Sequence, residues 1–284
     1  VHLHDPCLWS LVVAAYPGND MENIMRTSYP EISLPDGLIG INEALDRGAL
    51  GSRKLLNQQD LRGIIVNSGA ARRLVERELP NVPIRTIFHP IFKKLYAGPQ
   101  PAVRKPGSLR IGSFGVPHAE KCTDLVLAAF FEIRLIRPDA ELILAGYGAP
   151  EYIRSHNIGY EQGVFASEPE ETDTLVETMA TCDVAIQLRR RNLGESSGIM
   201  ALLMSVGIPV IGFDIGAFQD YRDAVRLIPR SSTIKEISAA IIEEVQNSSA
   251  HKSAMADIIE ARSPLRFCTA FKDAIADLAR PDRN

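Results

Sequence analysis

The chain has 284 residues, 45% hydrophobic and 23% charged, with a formal net charge of −4; this balance suits one or two globular domains with cores of their own. The negative balance excludes non-specific nucleic-acid binding as the main role, which needs a positive excess, and no run reaches the about 18 apolar residues of a membrane span. Cys7, Cys122, Cys182 and Cys268 stand far apart with no C-x-x-C pair, so neither a zinc site nor a disulfide framework is indicated, and a reduced cytoplasmic compartment is the default.

The opening V-H-L-H-D reads as the second half of a buried strand. It lacks the charged segment and apolar core of a signal peptide, and the first domain is expected to begin before Val1. Short β-branched or aliphatic runs predict strands at 1–4, 63–67, 84–88, 109–114, 141–145, 183–188, 208–213 and 225–228. Between most of them apolar residues recur every three to four positions, which predicts helices over 71–79, 124–137, 170–181, 198–206 and 234–245. Strand–helix–strand alternation implies parallel sheets with right-handed crossovers, an α/β doubly wound architecture.

The segment 16–59 is poor in strand signals and rich in polar turns and short helices. The stretch 93–108, K-K-L-Y-A-G-P-Q-P-A-V-R-K-P-G-S, breaks the alternation with three prolines and two glycines and reads as an exposed linker. The expected division is a partial first domain at 1–92, a linker at 93–107 and a second domain at 108–262. Ser263-Pro264 ends one helix, and a last amphipathic helix lies within 263–284, with the first domain a candidate for its packing partner.

Three predicted strand ends carry residues suited to ligand chemistry. The first, L-R-I-G-S-F-G-V-P-H-A-E-K over 109–121, runs from a buried strand into a glycine loop, with Lys121 where a long helix begins. Ligands of open α/β sheets bind beyond the carboxyl ends of strands and at helix N-termini. Gly115 would let backbone approach such a ligand, and Lys121 would neutralise a phosphate; a plain strand–loop–helix with a solvated lysine is the alternative. The second, E-L-I-L-A-G-Y-G over 141–148, opens similar space with Gly146 and Gly148, or is simply a tight turn. It lacks the third glycine of a dinucleotide fingerprint.

The third joins D-V-A-I-Q-L to R-R-R-N-L-G-E-S-S-G. Ser196 or Ser197 would cap the apolar helix that follows, whose free N–H groups attract an anion. Glu195 fits there as an acceptor for sugar hydroxyls beside a phosphate, or as a favourable acid in a first helical turn. Among Arg189, Arg190 and Arg191, one is placed to reach a diphosphate, although adjacent surface arginines are usually solvated. Three such strand ends on one edge describe a pocket for a phosphorylated, hydroxyl-rich ligand.

In this order the landmarks resemble the family 4 glycosyltransferases of the GT-B fold, over most of 60–262. I-I-V-N-S at 64–68 followed by P-I-R-T-I-F-H-P-I is similar to their exit from the first domain, and G-V-P-H-A-E-K at 115–121 to their glycine-to-lysine phosphate loop. P-D-A-E-L-I-L-A-G-Y-G at 138–148 resembles their Gly-x-Gly segment, and L-G-E-S-S-G…S-V-G-I-P-V-I, from Leu193 on, the region holding donor sugar and diphosphate. The resemblance implies a GT-B-like α/β fold of two doubly wound Rossmann-like domains, the first truncated. It implies retaining, metal-free transfer from a UDP- or GDP-linked nucleotide-diphosphate sugar to a glycan or lipid-linked acceptor, as in polysaccharide or lipopolysaccharide synthesis. No cofactor beyond the donor substrate and no nucleic-acid partner is implied; the location would be cytoplasmic, with a peripheral contact at the inner membrane face left open.

By the same resemblance Lys121 would stabilise the departing diphosphate and Glu195 would hold donor sugar hydroxyls. The N–H groups of Ser196, Ser197 and Gly198 would bind phosphate, with Gly115, Val116, Gly146, Gly148 and Arg189 lining the site. His4, beside Asp5, would face the transferred sugar, or is a strand-end histidine satisfied by nearby backbone. Two departures stand out. Most members carry an arginine where this chain has Val116, a charge that a nearby arginine or His118 would have to replace. Most also carry a second glutamate eight residues after the first; here that position is Leu203, beside Leu202. A nucleotide-sugar-binding module without transfer activity remains an alternative. So does an unrelated doubly wound enzyme, which should show a full G-x-G-x-x-G that this chain lacks.

Overall fold

The computed structural model describes residues 1–16, 21–32, 40–56, 61–93, 108–247 and 249–279. The predicted linker, apart from Lys93, lies outside them. Internal contacts divide the chain into two units: Val1–Phe88 with Leu193–Ser196 and Phe267–Asn284, and His89–Asn192 with Ser197–Arg266.

In the first unit β1 (His2–Leu3), β2 (Ile64–Val66) and β3 (Ile84–Thr86) form a parallel sheet in that order. All three residues of β2 are buried, as an aliphatic run predicts for a strand covered on both faces. The helix Gly69–Glu78 starts where the Ser68 hydroxyl accepts the Ala71 N–H at 2.9 Å. It packs Ala71 and Val75 against Leu3, Ile64 and Val66. The opposite face is covered by Phe267, Phe271 and Ala274 of the helix Pro264–Leu278, which lie on Ile65 and Ile87. His2 meets the Phe271 ring edge-on, and Arg85 pairs with Asp277.

Short helices Trp9–Ala15, Met21–Ser28, Ile41–Asp46 and Ser52–Leu56 enclose a separate core around Trp9, Met25 and Tyr29. Beneath it the Glu78 carboxylate accepts hydrogen bonds from the Tyr29 hydroxyl at 2.6 Å and the Leu50 N–H at 2.5 Å.

The second unit is built on a six-stranded, all-parallel sheet of β4 (Arg110–Phe114), β5 (Glu141–Ala145), β6 (Val164–Ser167), β7 (Val184–Gln187), β8 (Val210–Phe213) and β9 (Arg226–Ile228). Their order is β6-β5-β4-β7-β8-β9. One face packs on the helices Thr123–Ile136 and Ile234–Asn247 through Val126, Phe130, Ile237 and Ile241. The other packs on Gly198–Val206 and Ser249–Ala261 through Met200, Leu203, Met204 and Met255. Phe114, Phe130, Phe213 and Phe218 are fully buried, each contributing about 1.5–3 kcal/mol relative to exposure.

One strand was not expected. β6 is an edge strand with only Val164 fully buried, and its apolar run, V-F-A, is three residues long and holds a single β-branched residue. The chain leaves β4 toward β5 and β6, then returns to β7 on β4's other side. β4 and β7 therefore flank a switch point, where a crevice opens beyond the carboxyl ends of an open sheet.

Candidate functional site

At the carboxyl ends of β4 and β5 the backbones meet through two glycines. Gly115 has φ +99° and Gly146 φ +156°. A Cβ on Gly146 would stand 2.5 Å from the Gly115 carbonyl, closer than any side chain tolerates. The Gly115 N–H donates to the Ala145 carbonyl at 2.8 Å, and the Gly146 N–H to that of Ser167 at 3.0 Å. Gly148 opens the helix Ala149–Ser155 from a left-handed conformation.

Beyond Gly115, Val116 is exposed. His118 Nδ1 accepts the Glu120 N–H at 3.1 Å and starts the 3-10 turn Ala119–Lys121. That turn brings the Lys121 ammonium back over Gly115, onto the place a Cβ there would occupy. His118 thus has a capping role, and its Nδ1 is engaged within the loop.

Lys121 is half-buried, and its ammonium forms no hydrogen bond or ion pair among the described residues. Burial, with a smaller contribution from the Arg189 charge, pulls its pKa down to about 8. A partly desolvated cation without a counter-charge is costly, and an arriving anion removes that cost. Arg189 lies 6.0 Å over the Phe218 ring. Arg190 is turned to other work, pairing with Asp124 at 2.6 Å and donating to the Ala119 carbonyl at 2.8 Å. Among the three arginines, Arg189 is the one whose field lowers Lys121.

The helix Gly198–Val206 begins beside this loop, since the Ile199 side chain stands 3.7 Å from the Gly115 Cβ position. Ser197 caps it, its hydroxyl accepting the Met200 N–H at 3.3 Å. Gly198 is exposed and faces open space, which leaves a helix N-terminus ready for an anion. Gly115, Val116, Lys121, Thr123 and Gln187 line a small polar pocket here.

The choice between Ser196 and Ser197, open in the sequence, is settled by packing in the first unit. The Ser196 hydroxyl donates to the Asn67 carbonyl at 3.0 Å, and Ser68 donates to the Gly194 carbonyl at 2.5 Å. Gly194, at φ +97°, lies flat on Ala71, whose backbone nitrogen would be 2.5 Å from any Cβ. Glu195 accepts the Leu193 N–H at 2.7 Å. It therefore closes a turn of its own; the first turn of Gly198–Val206 holds no acid, so the helix-dipole alternative for Glu195 does not apply.

His4 is exposed just past β1. Burial raises the Cys7 thiol pKa, a backbone bond with Trp9 opposes this, and the charges of Asp5 and Glu195 add to the rise. Glu195 and the His4–Asp5 end of β1 thus share one neighbourhood of the first unit. Lys121, Gly115, Gly146, Arg189, Ser197 and Gly198 share one of the second.

Leu203 is fully buried, and Leu202 packs against the same core. Two polar groups escaped the sequence reading. Among the described residues the Gln187 amide nitrogen and the Ser167 hydroxyl are both buried without a partner, one at the end of β7 and one at the end of β6. Among the described residues no group of three or more His, Cys, Asp or Glu is placed to hold a metal ion, and no helix is long and apolar enough to cross a membrane.

Solved structures share this architecture. The pneumococcal O-GlcNAc transferase GtfA, in complex with UDP and GlcNAc, matches at 17% identity over 88% of this chain and 50% of its own, with a TM-score of 0.62. Anabaena HepE in complex with UDP-glucose matches at 15% identity over 83% and 68%, TM-score 0.62. WaaG, a glycosyltransferase involved in lipopolysaccharide biosynthesis, matches at 12% identity over 99% and 74%, TM-score 0.62. This chain spans about half the length of the GtfA structures it matches. These likenesses establish a Rossmann-like GT-B fold. No curated protein sequence matches the chain. Residues 105–247, half of the chain and most of the second unit, match the model of the glycosyl transferases group 1, and the chain belongs to that family.

Proposed function

We propose that this chain carries the donor site of a retaining glycosyltransferase that moves a sugar from a UDP- or GDP-linked donor to a glycan or lipid-linked acceptor. The observation that carries the reading is Lys121, a half-buried ammonium without a partner among the described residues, beside a capped and open helix N-terminus. As the sugar leaves, negative charge builds on the departing diphosphate. Lys121 and the N–H groups at the start of Gly198–Val206 are preorganised to stabilise it, the kind of interaction that supplies the largest catalytic terms. Gly115 and Gly146 bring bare backbone to the same place. Glu195 and His4 are assigned to sugar hydroxyls, Glu195 with one acceptor site already directed by the Leu193 N–H. The UDP, GlcNAc and UDP-glucose held by the GtfA and HepE structures support a ligand of this class.

Calorimetric titration with UDP, GDP and their sugar derivatives tests the reading, comparing the wild-type chain with Lys121→Ala and Glu195→Ala. Loss of a charge-assisted contact predicts a fall of about 2–3 kcal/mol in diphosphate affinity for Lys121→Ala. For Glu195→Ala the loss should be confined to the sugar-bearing ligands. Wild-type affinity in both variants would overturn it. Binding without transfer is the second reading, favoured by Leu203 being sealed in the core at the position where the family resemblance implies a second acid. Tight binding of a donor, with neither transfer nor hydrolysis of any sugar tested, would select it.

A further inference from the structure

β7 reads V-A-I-Q, and Val184, Ala185 and Ile186 are wholly buried. Gln187 closes the strand at 7% exposure and is followed by the buried Leu188. Its amide nitrogen is enclosed and has no hydrogen-bond partner among the described residues, whereas buried polar groups are as a rule paired. A methionine of nearly the same shape would avoid that loss. Gln187 also lies at the switch point, on the strand next to β4 and in register with Gly212 of β8, and it lines the pocket that contains Lys121 and Gly115.

Two residues that line one small space thus carry donors: an ammonium with three N–H groups and an amide nitrogen with two. A sugar hydroxyl would satisfy the amide but leave the ammonium uncompensated. A diphosphate offers several acceptor oxygens, enough for both. The amide reaches it by rotation about its terminal torsion, which is soft for an sp³–sp² bond.

We propose that Gln187 is a diphosphate-binding residue, its amide nitrogen donating to a non-bridging oxygen of the group whose charge Lys121 offsets. The assignment rests on reading this pocket as the donor diphosphate site. The amide contributes no charge; it fixes the orientation of the phosphate beneath the ammonium.

The test is calorimetry with UDP, GDP and the nucleosides uridine and guanosine, on the wild-type chain, Gln187→Met, Gln187→Glu and Lys121→Ala, with Tm recorded for each. Gln187→Met should keep a Tm no lower than wild type and lose diphosphate affinity roughly 5- to 15-fold, the worth of one hydrogen bond, with nucleoside affinity unchanged. Gln187→Glu should lose more than about 50-fold, because its carboxylate pairs with Lys121 and repels the ligand. Wild-type diphosphate affinity in Gln187→Met, alongside its loss in Lys121→Ala, would overturn the role of Gln187 and leave the donor site standing. Equal losses for diphosphates and nucleosides would mark a structural role and overturn it too. Failure of the wild-type chain to bind UDP or GDP, with Lys121→Ala no different, would overturn the donor site and the proposal with it.

Discussion

Replacing Lys121 by methionine should stabilise the unliganded chain and weaken its affinity for diphosphates by about 2–3 kcal/mol. The aliphatic stem of lysine is kept, so packing changes little; what goes is the uncompensated charge. A pKa lowered from 10.5 to about 8 corresponds, at ~1.4 kcal/mol for each tenfold change, to a cost of ~3 kcal/mol for a fully enclosed group. The side chain is partly open to water, and screening reduces this to ~1–2 kcal/mol. Below pH about 8 Lys121 is charged in both folded and unfolded chains, and the cost is fully present. Between about 8 and 10.5 the folded form releases its proton first, so the cost fades. Urea unfolding in a buffer free of phosphate and sulfate should therefore show Lys121→Met more stable at pH 7, with the gap shrinking toward pH 10. UDP or GDP, whichever binds, at a concentration well above the wild-type Kd should reverse the order by stabilising the wild type more than the variant. A variant less stable than wild type at pH 7, or a gap that ignores pH, would refute the reasoning.

Other consequences follow from the same geometry. Affinity for UDP or GDP should fall as pH rises through about 8, as the Lys121 charge is lost; calorimetry between pH 6.5 and 9.5 reads this directly, and Lys121→Met should be flat. Gly146→Ala places a methyl group 2.5 Å from the Gly115 carbonyl at a φ of +156°. It should cost ~2–4 kcal/mol by denaturant unfolding and weaken diphosphate binding by displacing the Gly115 loop. Burial raises the Glu78 carboxyl pKa against the opposing bonds from Tyr29 and Leu50. The folded chain then holds that proton more tightly than the unfolded one, so this stabilising contribution is present at low pH and is lost as pH rises through the raised folded value. Unfolding of Glu78→Gln measured from pH 4.5 to 7 should lack that decline.

Much of the second unit was legible because buried parallel strands are aliphatic runs; β5, β7 and β8 all show them. β6 was not, since its apolar run, V-F-A, is short and an edge strand encloses only one of its residues. The capping residue was narrowed to Ser196 or Ser197 and no further. Only the Asn67 carbonyl, 129 positions away in sequence, takes one of the two hydroxyls out of play. The triple arginine read as one basic cluster, yet Asp124 and the Ala119 carbonyl claim Arg190. His118, considered as a substitute for the arginine missing at Val116, instead caps its own loop. Gln187 does not stand out in the sequence, because a single polar residue in D-V-A-I-Q-L looks like tolerance in a buried run. The signal was there: a polar side chain at the carboxyl end of an otherwise apolar strand.

The central claim is that Lys121 and the start of the helix Gly198–Val206 hold the diphosphate of a nucleotide sugar. Crystals grown with UDP or GDP, whichever titrates, test it most directly. The account predicts a phosphate oxygen within about 3 Å of Lys121 Nζ, with a second phosphate oxygen on the N–H groups that follow Ser197. A nucleotide bound with its diphosphate elsewhere on the chain, and Lys121 still unpaired, would contradict it.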